Sequence, residues 1–177
     1  MIFETKRLIL RQWEETDVEE LYKYASDERI GYYAGWMPHP NIEHSMHILK
    51  DVLSADGVYA VVLKETGLVV GNVHIDKQGR GIDSVGKNEA EFGCWLGVEY
   101  WGQGIIPEAL ECLKQYCFEI LKCEKLWYVY FESNYRSKRV MEKLGFEYDH
   151  SEMLRRYDGK EFNSHFCVFT REKWFLN

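Results

Sequence analysis

The chain has 177 residues, 46% hydrophobic and 29% charged with only three prolines, which is the balance of one soluble globular domain spanning residues 1–177 and excludes extended disorder or a long linker. A formal net charge of −7 argues against a nucleic-acid partner, whose phosphates favour a basic face, and suits a cationic substrate better. No apolar run approaches a membrane span, and "MIFETKRLILRQWEETD" lacks the basic, apolar and small-residue succession of a secretory leader, so a cytoplasmic protein with no membrane partner is expected.

In chain order, "RLILRQW" reads as a first strand. Thr16 and Asp17 offer helix N-cap chemistry, and "VEELYKYA" supplies apolar positions at helical spacing. "YYAGWMPHP" reads as an aromatic loop, and "NIEHSMHILKDVL" as a helix capped by Asn41. "YAVVLKETGLVVGNVHID" is two β-rich runs around Glu65, Thr66 and Gly67, hence a hairpin. "NEAEFGCWLG" alternates, with Ala90, Phe92, Cys94 and Leu96 on one face and Glu89, Glu91, Gly93 and Trp95 on the other. The helix "PEALECLKQYCFEIL" and the apolar run "KLWYVYFE" follow, so strand, helix and buried strand make a right-handed crossover with parallel strands. A helix from Asn134 to Leu144 ends at Gly145, and two strands around Asp158-Gly159 close the chain.

The five cysteines, Cys94, Cys112, Cys117, Cys123 and Cys167, include no C-x-x-C pair, and free thiols in a reducing compartment are expected. His44 and His47 share a helical face at i,i+3 with no third ligand nearby, so no metal site is expected.

The chemistry concentrates in "EYWGQGIIPEAL", where Gly102 and Gly104 lie between a strand and the crossover helix. Such a pair can be a tight turn that only needs positive φ. At a helix N-terminus it also exposes unpaired N–H groups and a positive dipole end, which bind phosphate, and Pro107 sits where a helix tolerates proline best. A Walker loop needs a lysine and a hydroxyl after its last glycine, and a dinucleotide fingerprint needs a third glycine where Pro107 stands. Neither fits, and a pyrophosphate held by backbone amides alone remains.

"YWGQGIIPEAL" after "AEFGCWLGVE", with "NYRSKRVMEKLGF" one strand later, resembles the GNAT superfamily of acetyl-CoA-dependent N-acetyltransferases, and more narrowly its RimJ/RimL branch. The resemblance covers almost the whole chain. It implies an α+β fold: a mixed, largely antiparallel twisted sheet with a central parallel strand pair splayed around the CoA cleft, and helices on both faces. It implies acetyl transfer from acetyl-CoA, without a metal, to a primary amine on a protein N-terminus or a small molecule, by direct attack in a ternary complex. A CoA-binding sensor or interaction module without turnover is the alternative, and either a monomer or a homodimer fits.

Carried onto this sequence, the resemblance makes Gly102, Gln103, Gly104, Ile105 and Ile106 the pyrophosphate loop, with Trp101 where a basic or amide side chain is usual and Ile106 where a small residue is usual. The main chain of Leu96, Gly97 and Val98 is expected to pair with the pantetheine arm, one N–H there polarising the thioester carbonyl. Asn134 matches a cofactor-contacting asparagine. Met141 stands where much of the superfamily has an acidic tyrosine, so Ser137 is expected to protonate the leaving thiolate, although a serine there can also be only a helix cap. Arg139, with Arg136, Lys138 and Lys143, is placed to meet the 3′-phosphate or to form a solvated basic face. An amine of pKa about 10 must lose a proton before attack. Glu91 is the expected base, with Glu89 second. Tyr33, Trp36 and Trp95 are expected around the acceptor, and Asn163 replaces an aspartate found in many relatives.

Overall fold

Eight strands, β1 (Phe3–Glu4), β2 (Leu8–Arg11), β3 (Val58–Leu63), β4 (Val69–Asp76), β5 (Glu89–Leu96), β6 (Lys125–Phe131), β7 (Glu147–Arg155) and β8 (Glu161–Thr170), make one sheet in the order β1-β2-β3-β4-β5-β6-β8-β7 in the computed structural model, which describes residues 1–77 and 85–176. The expected mixed sheet is found. β5 and β6 run parallel from Glu89↔Lys125 to Phe92↔Tyr128, whereas β1/β2, β2/β3, β3/β4, β6/β8 and β7/β8 are antiparallel. The parallel register stops at Phe92, while β5 continues to Leu96 and β6 to Phe131. The chain divides into two compact units, Met1–His74 with Cys94–Ala109, and Ile75–Gly93 with Leu110–Asn177.

In the first unit, helices α1 (Val18–Ala25), α2 (Glu28–Ala34) and α3 (Ile42–Ile48) supply apolar faces to a core of Trp13, Leu21, Tyr24, Ile30, Leu49, Ala60 and Trp95. The Asn41 carboxamide accepts from His44 N–H at 2.8 Å and starts α3 as expected. Two expectations fail. The segment around Tyr32 and Tyr33 is the end of α2 rather than a loop, because Asp27 caps its start through Arg29 N–H and Gly35 ends it at φ 86°. Asp17 does not cap α1; its carboxylate takes both Arg11 Nη groups, at 2.7 and 2.8 Å. A guanidinium fork offers a buried carboxylate more than one helix N–H does.

The second unit is built on aromatic packing. Phe118 contacts Phe169 and Trp174, and Phe146 contacts Phe92 and Phe169, with ring centroids 5.7–6.3 Å apart. Helix α4 (Ile105–Glu119) begins in the first unit and ends in the second. Helix α5 (Tyr135–Leu144) ends at Gly145 with φ 76°, as expected, and β7 and β8 pair around Gly159. The sequence showed two final strands but not that β8 lies between β6 and β7. No described helix is long and apolar enough to cross a membrane.

Candidate active site

In the first unit, the loop before α4 is shaped by positive φ at two glycines, 77° at Gly102 and 75° at Gly104. The space beside them is open. A Cβ at Gly102 would meet nothing within 4 Å, and one at Gly104 only Arg7 Nη2 at 3.7 Å. The N–H groups of Gly102, Gln103, Gly104, Ile105 and Ile106 donate to no acceptor among the described residues, and Pro107 has none to offer. Ile105 and Ile106 are buried, so the two bulky side chains are drawn into the core and away from those amides. The Trp101 indole N–H donates to Leu96 O at 2.9 Å, which makes it a brace. The Gln103 amide donates to Glu99 O at 2.8 Å, so this side chain also shapes the loop. An open cradle of unpaired N–H groups with room for oxygen atoms fits a pyrophosphate.

One residue here escaped the sequence reading. Arg7 donates through Nε to Glu108 at 2.6 Å and through Nη1 to Gln103 O at 3.0 Å, which sets its guanidinium against the loop. Burial opposes the charge of Glu108, but Thr5 and Arg7 outweigh it and hold the carboxyl below its ordinary range.

Leu96, Gly97 and Val98 are mostly engaged. Gly97 N–H donates to Val70 O at 2.8 Å, Gly97 O accepts from Tyr100, and Val98 O accepts from Trp101. The expected pairing of this whole segment with a pantetheine arm is therefore narrowed: the Gly97 N–H is already used, while Val98 N–H has no partner among the described residues. Gly97 must be glycine, since a Cβ would stand 2.5 Å from the Tyr24 ring.

Of the aromatic residues expected around the acceptor, Trp36 and Trp95 meet edge to face, with centroids 5.9 Å apart. The buried Trp36 indole nitrogen has no hydrogen-bond partner among the described residues. Tyr33 lies on α2 in an edge contact with Tyr32.

The second unit holds Glu91, Asn134, Ser137 and Arg139. Glu91 is 9% exposed on β5, where alternation alone would leave it open to solvent; β5 is a central strand, and both its faces are covered. Glu89 is committed elsewhere, accepting from Trp127 Nε1 at 2.7 Å and Gly86 N–H at 3.3 Å, with Lys125 at 3.5 Å. Burial raises its pKa, but these partners together outweigh burial and leave it low. The Asn134 carbonyl oxygen caps α5 through Ser137 N–H at 3.2 Å, leaving its amide nitrogen without a described acceptor. The Ser137 hydroxyl donates to the Tyr128 hydroxyl at 2.8 Å. Tyr128 was hidden inside the apolar run "KLWYVYFE" and is the second functional candidate that the sequence reading missed. Arg139 is exposed and forms no ion pair among the described residues.

The family model described as "Acetyltransferase (GNAT) domain" matches residues 7–147. An N-acetyltransferase of Bacillus licheniformis, p20, is 28% identical over 159 residues, covering 87% of this chain and 85% of its own. The crystal structure of a GNAT-family acetyltransferase from Bacillus anthracis superposes with a TM-score of 0.85 at 21% identity, covering 97% of this chain and 99% of its own. A ribosomal-protein-S5-alanine acetyltransferase from Vibrio fischeri superposes at 0.76 and 19% identity, with 98% of each chain covered. At these identities the two structures establish the shared fold.

Proposed function

Because this chain belongs to the GNAT acetyltransferase family, we propose that it transfers the acetyl group of acetyl-CoA to a primary amine by direct attack in a ternary complex, as a single cytoplasmic domain of the RimJ/RimL-like branch. The observation that carries the donor assignment is the α4 loop, with positive φ at Gly102 and Gly104 and unpartnered N–H groups from Gly102 to Ile106. The N-x-x-S pair Asn134 and Ser137 supports the branch. Five free thiols fit a reducing compartment.

Acetyl-CoA supplies an acyl group activated as a thioester. The residues of the chain supply binding and proton transfers. The loop amides hold the pyrophosphate, Arg139 meets the 3′-phosphate, and the Asn134 amide nitrogen donates to the pantetheine arm. Val98 N–H faces the charge that develops on the carbonyl oxygen. Glu91 accepts a proton from the acceptor ammonium, directly or through water, and frees the amine for attack. Glu91 is buried on β5, and it is preferred to Glu89 because the Glu89 carboxylate is held by Trp127 and Gly86. Ser137, whose hydroxyl is held 2.8 Å from that of Tyr128, turns its proton to the departing thiolate and is reprotonated from solvent. Tyr33, Trp36 and Trp95 line the acceptor, which is cationic before it loses its proton and so suits the acidic chain.

Free-thiol release from acetyl-CoA, measured across N-terminal peptides including an alanine-initiated one, polyamines and aminoglycosides, tests this function. Amine-dependent release with one class supports it and names the acceptor. CoA binding without release on the whole panel rejects it in favour of a sensor module.

A further inference from the structure

We infer that Arg7 supplies the cationic side chain of the pyrophosphate site, in the place of the side chain that Trp101 does not provide, with Glu108 as its positioning residue. The inference rests on the acetyl-CoA reading above and extends it to a residue 94 positions before the loop's Trp101, by their numbering.

Geometry separates the three nitrogens of the Arg7 guanidinium. Nε is fixed on Glu108 Oε2 at 2.6 Å, and Nη1 on Gln103 O at 3.0 Å. Nη2 has no acceptor among the described residues and lies 3.7 Å from where a Cβ of Gly104 would stand. Two N–H bonds of Nη2 therefore remain on the open side of the loop at Gly104. The rigid plane of a guanidinium makes this arrangement specific, because fixing two nitrogens aims the third.

Glu108 explains why the arrangement is needed. A carboxylate in the first turn of α4 is favourable for the helix but repels an anion bound at the same end. Thr5 Oγ1, Arg7 N–H and Arg7 Nε occupy its oxygens at 2.6–2.9 Å, so the charge is neutralised locally and spent on holding the arginine. Trp101 leaves the role open, since its indole is turned to Leu96 O.

CoA affinity by titration calorimetry, read against salt concentration, tests the assignment. Arg7→Gln should weaken CoA binding about tenfold and flatten its salt dependence, as loss of a charge-assisted phosphate contact does. Glu108→Gln should weaken binding by less than Arg7→Gln and keep its salt dependence, because one carboxamide oxygen cannot replace both oxygens that hold Arg7 while the guanidinium charge stays in place. A purely structural pair would give the same loss in both variants, and that result overturns the inference. So does an Arg7→Gln affinity within twofold of the parent. Should Arg7→Gln fail to fold, Arg7→Lys decides: an ammonium cannot keep both Glu108 and Gln103 O while reaching an anion, so CoA binding weakened several-fold supports the contact and an affinity within twofold of the parent rejects it. Failure of the parent protein to bind CoA would strike the acetyl-CoA reading itself.

Discussion

The hydroxyl of Ser137 lies 2.8 Å from that of Tyr128 and donates to it. A serine in the first turn of a helix has an ordinary use as a cap, but here Asn134 performs the capping and leaves the Ser137 hydroxyl for the strand. The bond fixes the Ser137 hydroxyl against β6.

Ser137→Ala should therefore lower kcat about 10²-fold with little change in acetyl-CoA affinity, the usual size of a general-acid contribution. Tyr128→Phe should have a smaller effect, and the double variant should be no worse than Ser137→Ala. Additive losses in steady-state kinetics would separate the two hydroxyls.

Glu91→Gln should reduce kcat at neutral pH, with the deficit shrinking as pH rises and more of the acceptor amine is already deprotonated. Glu89→Gln should spare turnover at the same pH. Its cost belongs to stability, about 1 kcal/mol for the weakened bonds to Trp127 and Gly86, read from denaturant unfolding.

Gly104→Val puts a β-branched residue at φ 75° and fills the open side of the loop, so CoA affinity should fall about tenfold or more alongside a stability loss of about 1–2 kcal/mol. Gly102→Ala is the control for strain, because its Cβ meets nothing within 4 Å. An equal loss of affinity in both, by calorimetry, would trace the effect to loop conformation and not to the space beside Gly104.

His39 gives the first unit a pH dependence. Burial, with a smaller contribution from His44, lowers its pKa to about 4, and its Nδ1 lies 2.8 Å from Ser45 Oγ. The unfolded chain takes up a proton near pH 6.5 while the folded chain does not, so the stability contribution is complete above about 6.5 and is lost as pH falls towards 4. The loss should amount to at most about 3 kcal/mol. Urea unfolding at pH 7 and pH 4.5 should show it, and His39→Gln should reduce the difference.

The sequence by itself determined the elements whose signals are local. The glycine pair, the helix N-terminus after it, the Asn41 and Asn134 caps and the Gly145 stop all follow from what a few consecutive residues permit in φ, ψ and hydrogen bonding. The family pattern lies in such stretches, so the fold class was legible with them. The end of α2 was legible too, in Asp27 and Gly35, but the aromatic run between them obscured it. Tertiary structure alone decided which partner each polar group takes. Asp17 bound Arg11 and Glu14 N–H in place of capping α1, Glu89 was held by Trp127, Gly97 N–H was taken by Val70, and Arg7 reached the loop before α4. Those partners come from other strands and helices, and a buried charge or N–H settles on whichever partner best offsets its loss of water, wherever in the chain that partner lies.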